Sequence, residues 1–190
     1  RNWAQATPAA FRFCPKLHRD ISHQGLLTPR IPDALRFFDH MTEGLGQRLG
    51  PCMLQLPPTY DPYNGPDLAK FLNAWRRHTD HLLTVEVRHR GWFVPNVANR
   101  LNTLLLRVGA SRAILDSRPV FSSQDDPQEH SQRKKPQLPI DTDFGGQTVM
   151  VRLITHPEPD HNIPFFDMWV QQVAQWLDQS RTIYFFLHCP

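Results

Sequence analysis

A parallel α/β fold, closed toward a barrel, is what this sequence predicts, and three observations predict it. Six short apolar runs of strand length alternate with amphipathic helical stretches along 190 residues, a pattern that implies parallel strands covered by helices and joined by right-handed crossovers. No G-x-G-x-x-G or G-x-x-x-x-G-K-[ST] turn follows any of these runs, as an open doubly wound sheet would usually carry after its first strand. The polar residues of the runs also fall on one parity, so they share one side of their strands.

The elements read as follows in chain order. Phe11 to Lys16 is the first strand. Asp33 to Leu49 is a helix, with Ala34, Phe37, Phe38, Met41, Leu45 and Leu49 on one stripe and Gly50-Pro51 ending it. Cys52 to Leu56 is the second strand, and Asp67 to His78 a helix with Leu68, Phe71, Leu72 and Trp75 on one side. Leu83 to Arg88 is a strand rich in β-branched residues. The next helix, Pro95 to Val108, opens on proline and closes at Gly109. Arg112 to Ser117 is a strand, followed by a long loop over 118–147 with almost no apolar periodicity, a length that is usually functional or disordered inside a compact domain. Thr148 to Ile154, a helix over Phe165 to Leu177, and Thr182 to His188 complete the pattern.

Composition narrows the class. With 40% hydrophobic, 11% aromatic and 21% charged residues the chain has the material for a core and is not a disordered segment. One domain over 1–190 is expected. No apolar run approaches the roughly 18 to 20 residues that would span a bilayer, and the mean hydropathy is -0.47. Arg1 to Pro8 has neither a methionine start nor the apolar run of a secretory signal. Three cysteines, Cys14, Cys52 and Cys189, lack C-x-x-C spacing, which points to reduced thiols and a cytoplasmic location. The net charge of +3 suggests weak attraction to polyanions. The densest basic run, Arg133-Lys134-Lys135, contains no aromatic residue for base stacking and is read as a solvated loop.

Parity sorts the strands into two faces. Phe11 and Phe13 oppose Arg12, Cys14 and Lys16; Met53 and Gln55 oppose Cys52, Leu54 and Leu56; Thr84, Glu86 and Arg88 oppose Leu83, Val85 and Val87. Ile114 and Asp116 oppose Ala113 and Leu115, Met150 and Arg152 oppose Val149, Val151 and Leu153, and Tyr184, Phe186 and His188 oppose Phe185 and Leu187. The apolar set packs on helices, and the other set faces a barrel interior with its polar members near the C-terminal strand ends, where such barrels carry their chemistry. Paired charges filling the interior are the competing explanation.

The segments Phe11-Arg12-Phe13-Cys14-Pro15-Lys16 with Ile21-Ser22-His23, Leu49-Gly50-Pro51-Cys52-Met53-Leu54-Gln55-Leu56-Pro57-Pro58-Thr59-Tyr60, Val85-Glu86-Val87-Arg88-His89 with Gly91-Trp92-Phe93, Leu115-Asp116-Ser117 and Val151-Arg152-Leu153 resemble the successive motifs of the YecE-like proteins, domain of unknown function family 72. The resemblance covers nearly the whole chain. It implies a TIM-type (β/α)8 barrel, of which this chain would hold about six strands, without the first two and the final helix. It implies a set of polar positions, Lys16, His23, Gln55, Glu86, Arg88, His89, Trp92, Asp116 and Arg152, and leaves the activity and any cofactor open. Two departures stand out: Leu153-Ile154-Thr155-His156 follows Arg152 where many members continue L-H-G, and Leu187-His188-Cys189-Pro190 stands where many have an asparagine pair.

These positions point first to an enzyme acting on a small anionic or sugar-like substrate. Lys16, Arg88 and Arg152 suit phosphate or carboxylate, and Glu86 and Asp116 suit general acid or base work. His23, Gln55, His89 and Trp92 are expected among the substrate-binding residues. His89 follows an inward residue, which favours a supporting role, and Trp92 would either stack a ring or plug the barrel mouth. A divalent ion on Glu86, Asp116, His188 and His23 is the weaker version, opposed by the nearby arginines. The second class is a non-catalytic or nucleic-acid-binding module using the basic cleft and the loop at Arg133 to Lys135.

Overall fold

The computed structural model describes residues 2–122, 135–142 and 145–189. They form an α/β fold of parallel strands and helices divided into two compact units, Arg1–Ser111 and Arg112–Pro190.

In the first unit, short helices α1 (Asn2–Gln5) and α2 (Arg19–Ser22) precede α3 (Ile31–Leu45), β1 (Cys52–Gln55), α4 (Gly65–His78), β2 (Leu83–Glu86) and α5 (Pro95–Arg107). α3 ends earlier than its apolar stripe suggests, because Gly46, at φ +52, turns the chain into a 3-10 segment over Gly46–Arg48. Pro66 and Asp67 open α4 and Arg76, Arg77 and His78 close it, matching the sign of the helix dipole at both ends. α5 stops at Gly109, where φ +67 lets Ala110 N–H reach back to the Leu105 carbonyl at 2.9 Å.

β1 and β2 pair in parallel with Gln55 opposite Glu86 and Met53 opposite Thr84. The run Phe11 to Lys16, expected as a strand, makes only two isolated parallel bridges, Phe13 to Leu49 and Lys16 to Met53. Pro15 and Pro51 each lack the N–H that would carry the ladder between the bridges, and three steps on one side face four on the other. Beneath this sheet, Leu54, Leu56, Val85 and Val87 join Leu68, Phe71, Leu72, Trp75, Leu101 and Leu105 in one core, and Phe38 meets Trp75 edge-on at 5.1 Å.

The second unit holds β3 (Ser111–Asp116, starting at the unit boundary), β4 (Thr148–Ile154), α6 (Ile163–Asp178) and β5 (Thr182–His188), with the strands parallel in the order β3-β4-β5. Ile114, Val149, Val151 and Leu153 pack against Trp169 and Trp176 of α6, and Phe185 meets Trp169 edge-on at 5.5 Å. α6 closes through Ser180, at φ +58, with Arg181 N–H bonding the Trp176 carbonyl at 2.9 Å.

Much of the expected long loop, including Ser123 to Lys134, lies outside the described residues. Its two ends are packed. Arg118–Phe121 forms a 3-10 turn with Val120 buried. On the return, Leu138 is buried, Ser117 Oγ donates to the Pro136 carbonyl at 2.8 Å, and Asp141 pairs with the buried Arg112 at 2.8 Å. Among the described residues no helix is long and apolar enough to cross a membrane.

Candidate functional site

The first unit joins four of the expected polar residues by hydrogen bonds. β1 and β2 lie in register, so Gln55 and Glu86, the last residue of each strand, point to the same side. Glu86 is fully buried, and its Oε1 accepts from Arg88 Nε at 2.7 Å and from Gln55 Nε2 at 3.3 Å. Lys16 Nζ donates to Gln55 Oε1 at 3.2 Å, extending the chain of bonds to the exposed side. The carboxylate can sit in so dry a place because Arg88, itself nearly buried, compensates its charge. The amide of Gln55 is oriented by having a carboxylate on one side and an ammonium on the other.

His23 follows α2 as its C-terminal cap, bonded to Ser22 and within the electrostatic reach of these charges. It is half-buried and its Nδ1 lies 2.7 Å from Ser22 Oγ. Burial, then the positive charges of Arg88, Lys16 and Arg19, hold its imidazolium pKa below the usual histidine value, against a smaller opposing pull from Glu86. The arrangement is a bonded series, Lys16 to Gln55 to Glu86 to Arg88, that ends on a cation at each side of a buried carboxylate.

Two expected positions of this unit have structural partners. His89 caps the 3-10 turn Arg90–Phe93, its Nδ1 accepting from Gly91 N–H at 3.0 Å. Trp92 is buried, with Nε1 donating to the Tyr60 carbonyl at 2.8 Å, so its ring has no face to offer a substrate.

In the second unit the parity expected for β3 is reversed. Asp116 lies opposite Leu153 and Ile114 opposite Val151, on the helix-covered face, whereas Ala113 and Leu115 align with Met150 and Arg152. Asp116 is fully buried; Arg118 donates to it from Nε and Nη2 at 2.9 and 2.8 Å, and Trp169 Nε1 donates at 2.8 Å. A carboxylate shares the apolar side because an arginine two residues on folds back over it and a tryptophan from α6 supplies a further donor. This corrects the expectation of an inward-facing acid or base. Arg152 does keep the expected side, with Phe186 opposite it and Tyr184 and His188 on the same face of β5. His188 is exposed, and burial, Lys135 and Arg152 together lower its pKa.

Sequence reasoning passed over three participants. Ser22 orients His23, Arg19 adds to its positive surroundings, and Arg118 neutralises Asp116. The adjacency Ser22-His23 and the spacing of Asp116 to Arg118 were the available signals. Among the described residues, no group of three or more His, Cys, Asp or Glu is placed to hold a metal ion, and Asp116 spends both oxygens on Arg118 and Trp169. Burial raises the Cys14 and Cys52 thiols to about 11 and about 12, so neither is a nucleophile at neutral pH.

The profile of the family described as "Protein of unknown function DUF72" matches residues 1–190. The chain belongs to the DUF72 family. It is 35% identical to UPF0759 protein YecE of Escherichia coli K12 over 191 aligned residues, spanning 99% of this chain and 69% of that protein, and equally so to the YecE of Escherichia coli O157:H7. Its fold is similar to a DUF72 family protein of Enterococcus faecalis V583, at TM-score 0.73 and 17% identity over 98% of this chain and 74% of that one. It is also similar to one of Thermotoga maritima MSB8, at TM-score 0.67 and 14% identity over 98% and 70%. As a DUF72 member, the chain has its motif residues Lys16, Gln55, Glu86 and Arg88 in one hydrogen-bonded group, whereas the motif residues His89, Trp92 and Asp116 hold the scaffold together.

Proposed function

We propose that this DUF72 chain is a barrel of TIM type and an enzyme that binds a small anionic substrate at Lys16 and Arg88, with Gln55 and Glu86 setting the positions of both cations. The observation that carries this reading is the bonded series Lys16–Gln55–Glu86–Arg88, joining side chains up to 72 residues apart around one buried carboxylate. A purely structural ion pair needs no third and fourth member leading to an exposed ammonium. Gln55 and Glu86 close β1 and β2, the strand end at which parallel barrels place chemistry. An oxyanion gains from two cations that are already oriented. Stacking of a sugar on Trp92 has no support, because that ring is buried. The nucleic-acid reading leans on Arg133 to Lys135, of which Arg133 and Lys134 lie outside the described residues.

The test is sulfate binding by calorimetry, followed by a screen of phosphorylated sugars and small phosphodiesters. Lys16→Met is expected to weaken sulfate by about tenfold, the value of one charge-assisted bond, with the fold intact because Lys16 is exposed. Unchanged sulfate affinity in this variant would overturn the proposal. Arg152→Ala, in the other unit, measures what that arginine adds to any activity the screen finds.

A further inference from the structure

Glu86 and Asp116 are each neutralised by an arginine two residues on, and the two arginines hold them differently. Arg118 grips Asp116 side-on, with Nε at 2.9 Å and Nη2 at 2.8 Å on separate carboxylate oxygens. Its guanidinium also reaches Met168 Sδ and lies over the Phe165 ring, both on α6. Arg88 meets Glu86 through Nε alone, at 2.7 Å. Among the described residues, Nη1 and Nη2 of Arg88 have no hydrogen-bond partner, and both keep contact with solvent. Yet only 11% of this side chain is exposed, against 32% for Arg118. A guanidinium is a planar fork of N–H donors, and taking most of the water from such donors without giving them a partner is costly. The less exposed arginine is the one with fewer bonds, and the bonds it lacks are all on one edge.

We infer that the Nη1–Nη2 edge of Arg88 is the specificity-determining contact of the anion site: it takes, end-on, an anion that presents two oxygens side by side, as a carboxylate or a phosphoryl group does. The inference rests on the anion-site reading and adds to it the shape of the ligand group. The bond from Nε to Glu86 holds the guanidinium in place, and Gln55, bonded to the same oxygen, holds the fully buried Glu86. Both act as positioning residues. Two parallel N–H groups match two oxygens of one ligand group and add direction to charge. Lys16 supplies charge without that direction, because an ammonium is a point charge on a flexible stem. A halide offers a single centre to the fork and gains the charge attraction alone, so the site selects oxyanions over halides.

Nitrogen-15 spectra of the arginine side chains read this edge directly, with the Arg88 signals assigned by their absence in Arg88→Lys. Adding sodium sulfate, acetate or methyl phosphate to the full chain is expected to shift both Nη signals of Arg88 and to slow the turning of its C–Nη bonds, while the Nε signal stays in place on Glu86. Sodium chloride at the same ionic strength should do neither. A response to acetate alone of the two organic anions marks a carboxylate site, and a response to methyl phosphate alone a phosphoryl site; either supports the inference. Arg88→Lys keeps a cation for Glu86 and is expected to bind sulfate about tenfold more weakly, the loss of one charge-assisted bond. If Lys16→Met weakens sulfate while the Nη signals of Arg88 do not respond to any of these oxyanions, or if the Nε signal moves because the anion displaces Glu86, or if chloride shifts the Nη signals as far as sulfate does, the inference about Arg88 is wrong and the anion site stands. If Lys16→Met has no effect on sulfate, the anion site itself fails, and the inference with it.

Discussion

Replacing Glu86 by glutamine removes the charge at the centre of the bonded series and nothing else of its shape. Glu86 is fully buried and Arg88 has 11% of its side chain exposed, so the variant leaves a nearly buried guanidinium without its counter-charge. Breaking a buried pair on one side costs about 3–5 kcal/mol. The glutamine carbonyl still accepts one bond from Arg88, which places the expectation at the low end, about 3 kcal/mol. Urea unfolding followed by the fluorescence of Trp75 and Trp92, both buried in the same unit, reads the loss as a lower midpoint with an unchanged slope. The double variant Glu86→Gln/Arg88→Met removes both charges and should recover about 2 kcal/mol of it, as coupled neighbours do. A single variant within about 0.5 kcal/mol of wild type would mean that Glu86 does not carry the charge that holds Arg88, and the account of the site would lose its anchor.

Three further outcomes follow from the same structure. Asp116→Ala strips a partner from Arg118 and from Trp169 Nε1, and is expected to cost about 3 kcal/mol in chemical denaturation without altering sulfate binding; a change in sulfate affinity would return Asp116 to the candidate site. Asp67 accepts Leu27 N–H at 2.7 Å, Thr28 N–H at 3.0 Å and Tyr60 O–H at 2.8 Å. Burial alone would raise its pKa, but these bonds and that of the Thr28 hydroxyl hold it below the usual carboxylate value. The stability it gives is present above the unfolded value of about 3.9 and is lost as pH falls through the folded one, so melting curves of wild type and Asp67→Asn should converge below about pH 4. His23 runs the same way for the opposite reason: its folded pKa lies below the unfolded value of about 6.5, so stability falls as acid protonates it, and His23→Asn should show a shallower loss of melting temperature below that pH. A slope equal to wild type would show that His23 is not held neutral.

How much was legible in the sequence differs between elements. The helices over 65–78, 95–107 and 163–178 followed to within two residues from apolar stripes, the middle one with a proline opening as well, and the strands over 148–154 and 182–188 had the bounds their composition suggests. Proline defeated the first strand, since a period-two pattern does not register the missing N–H groups of Pro15 and Pro51. Parity placed Gln55, Glu86 and Arg152 on the expected sides but failed for Asp116, because a rule that treats charge as inward cannot see Arg118 neutralising it on the helix face. Trp92 and His89 were visible as motif positions, but their bonds to Tyr60 and Gly91 depend on loop geometry that spacing does not encode. The link from Ser22 to His23 needed coordinates, since adjacent residues in sequence rarely face each other.

The most direct measurement of the central claim is anomalous diffraction from crystals of the protein grown with selenate, whose selenium locates the bound oxyanion without reference to activity. The account predicts a selenate within hydrogen-bonding distance of Lys16 Nζ and the Arg88 guanidinium, and its loss in Lys16→Met. Selenate ordered only at other positions, or retained beside Arg88 in Lys16→Met at full occupancy, would contradict it.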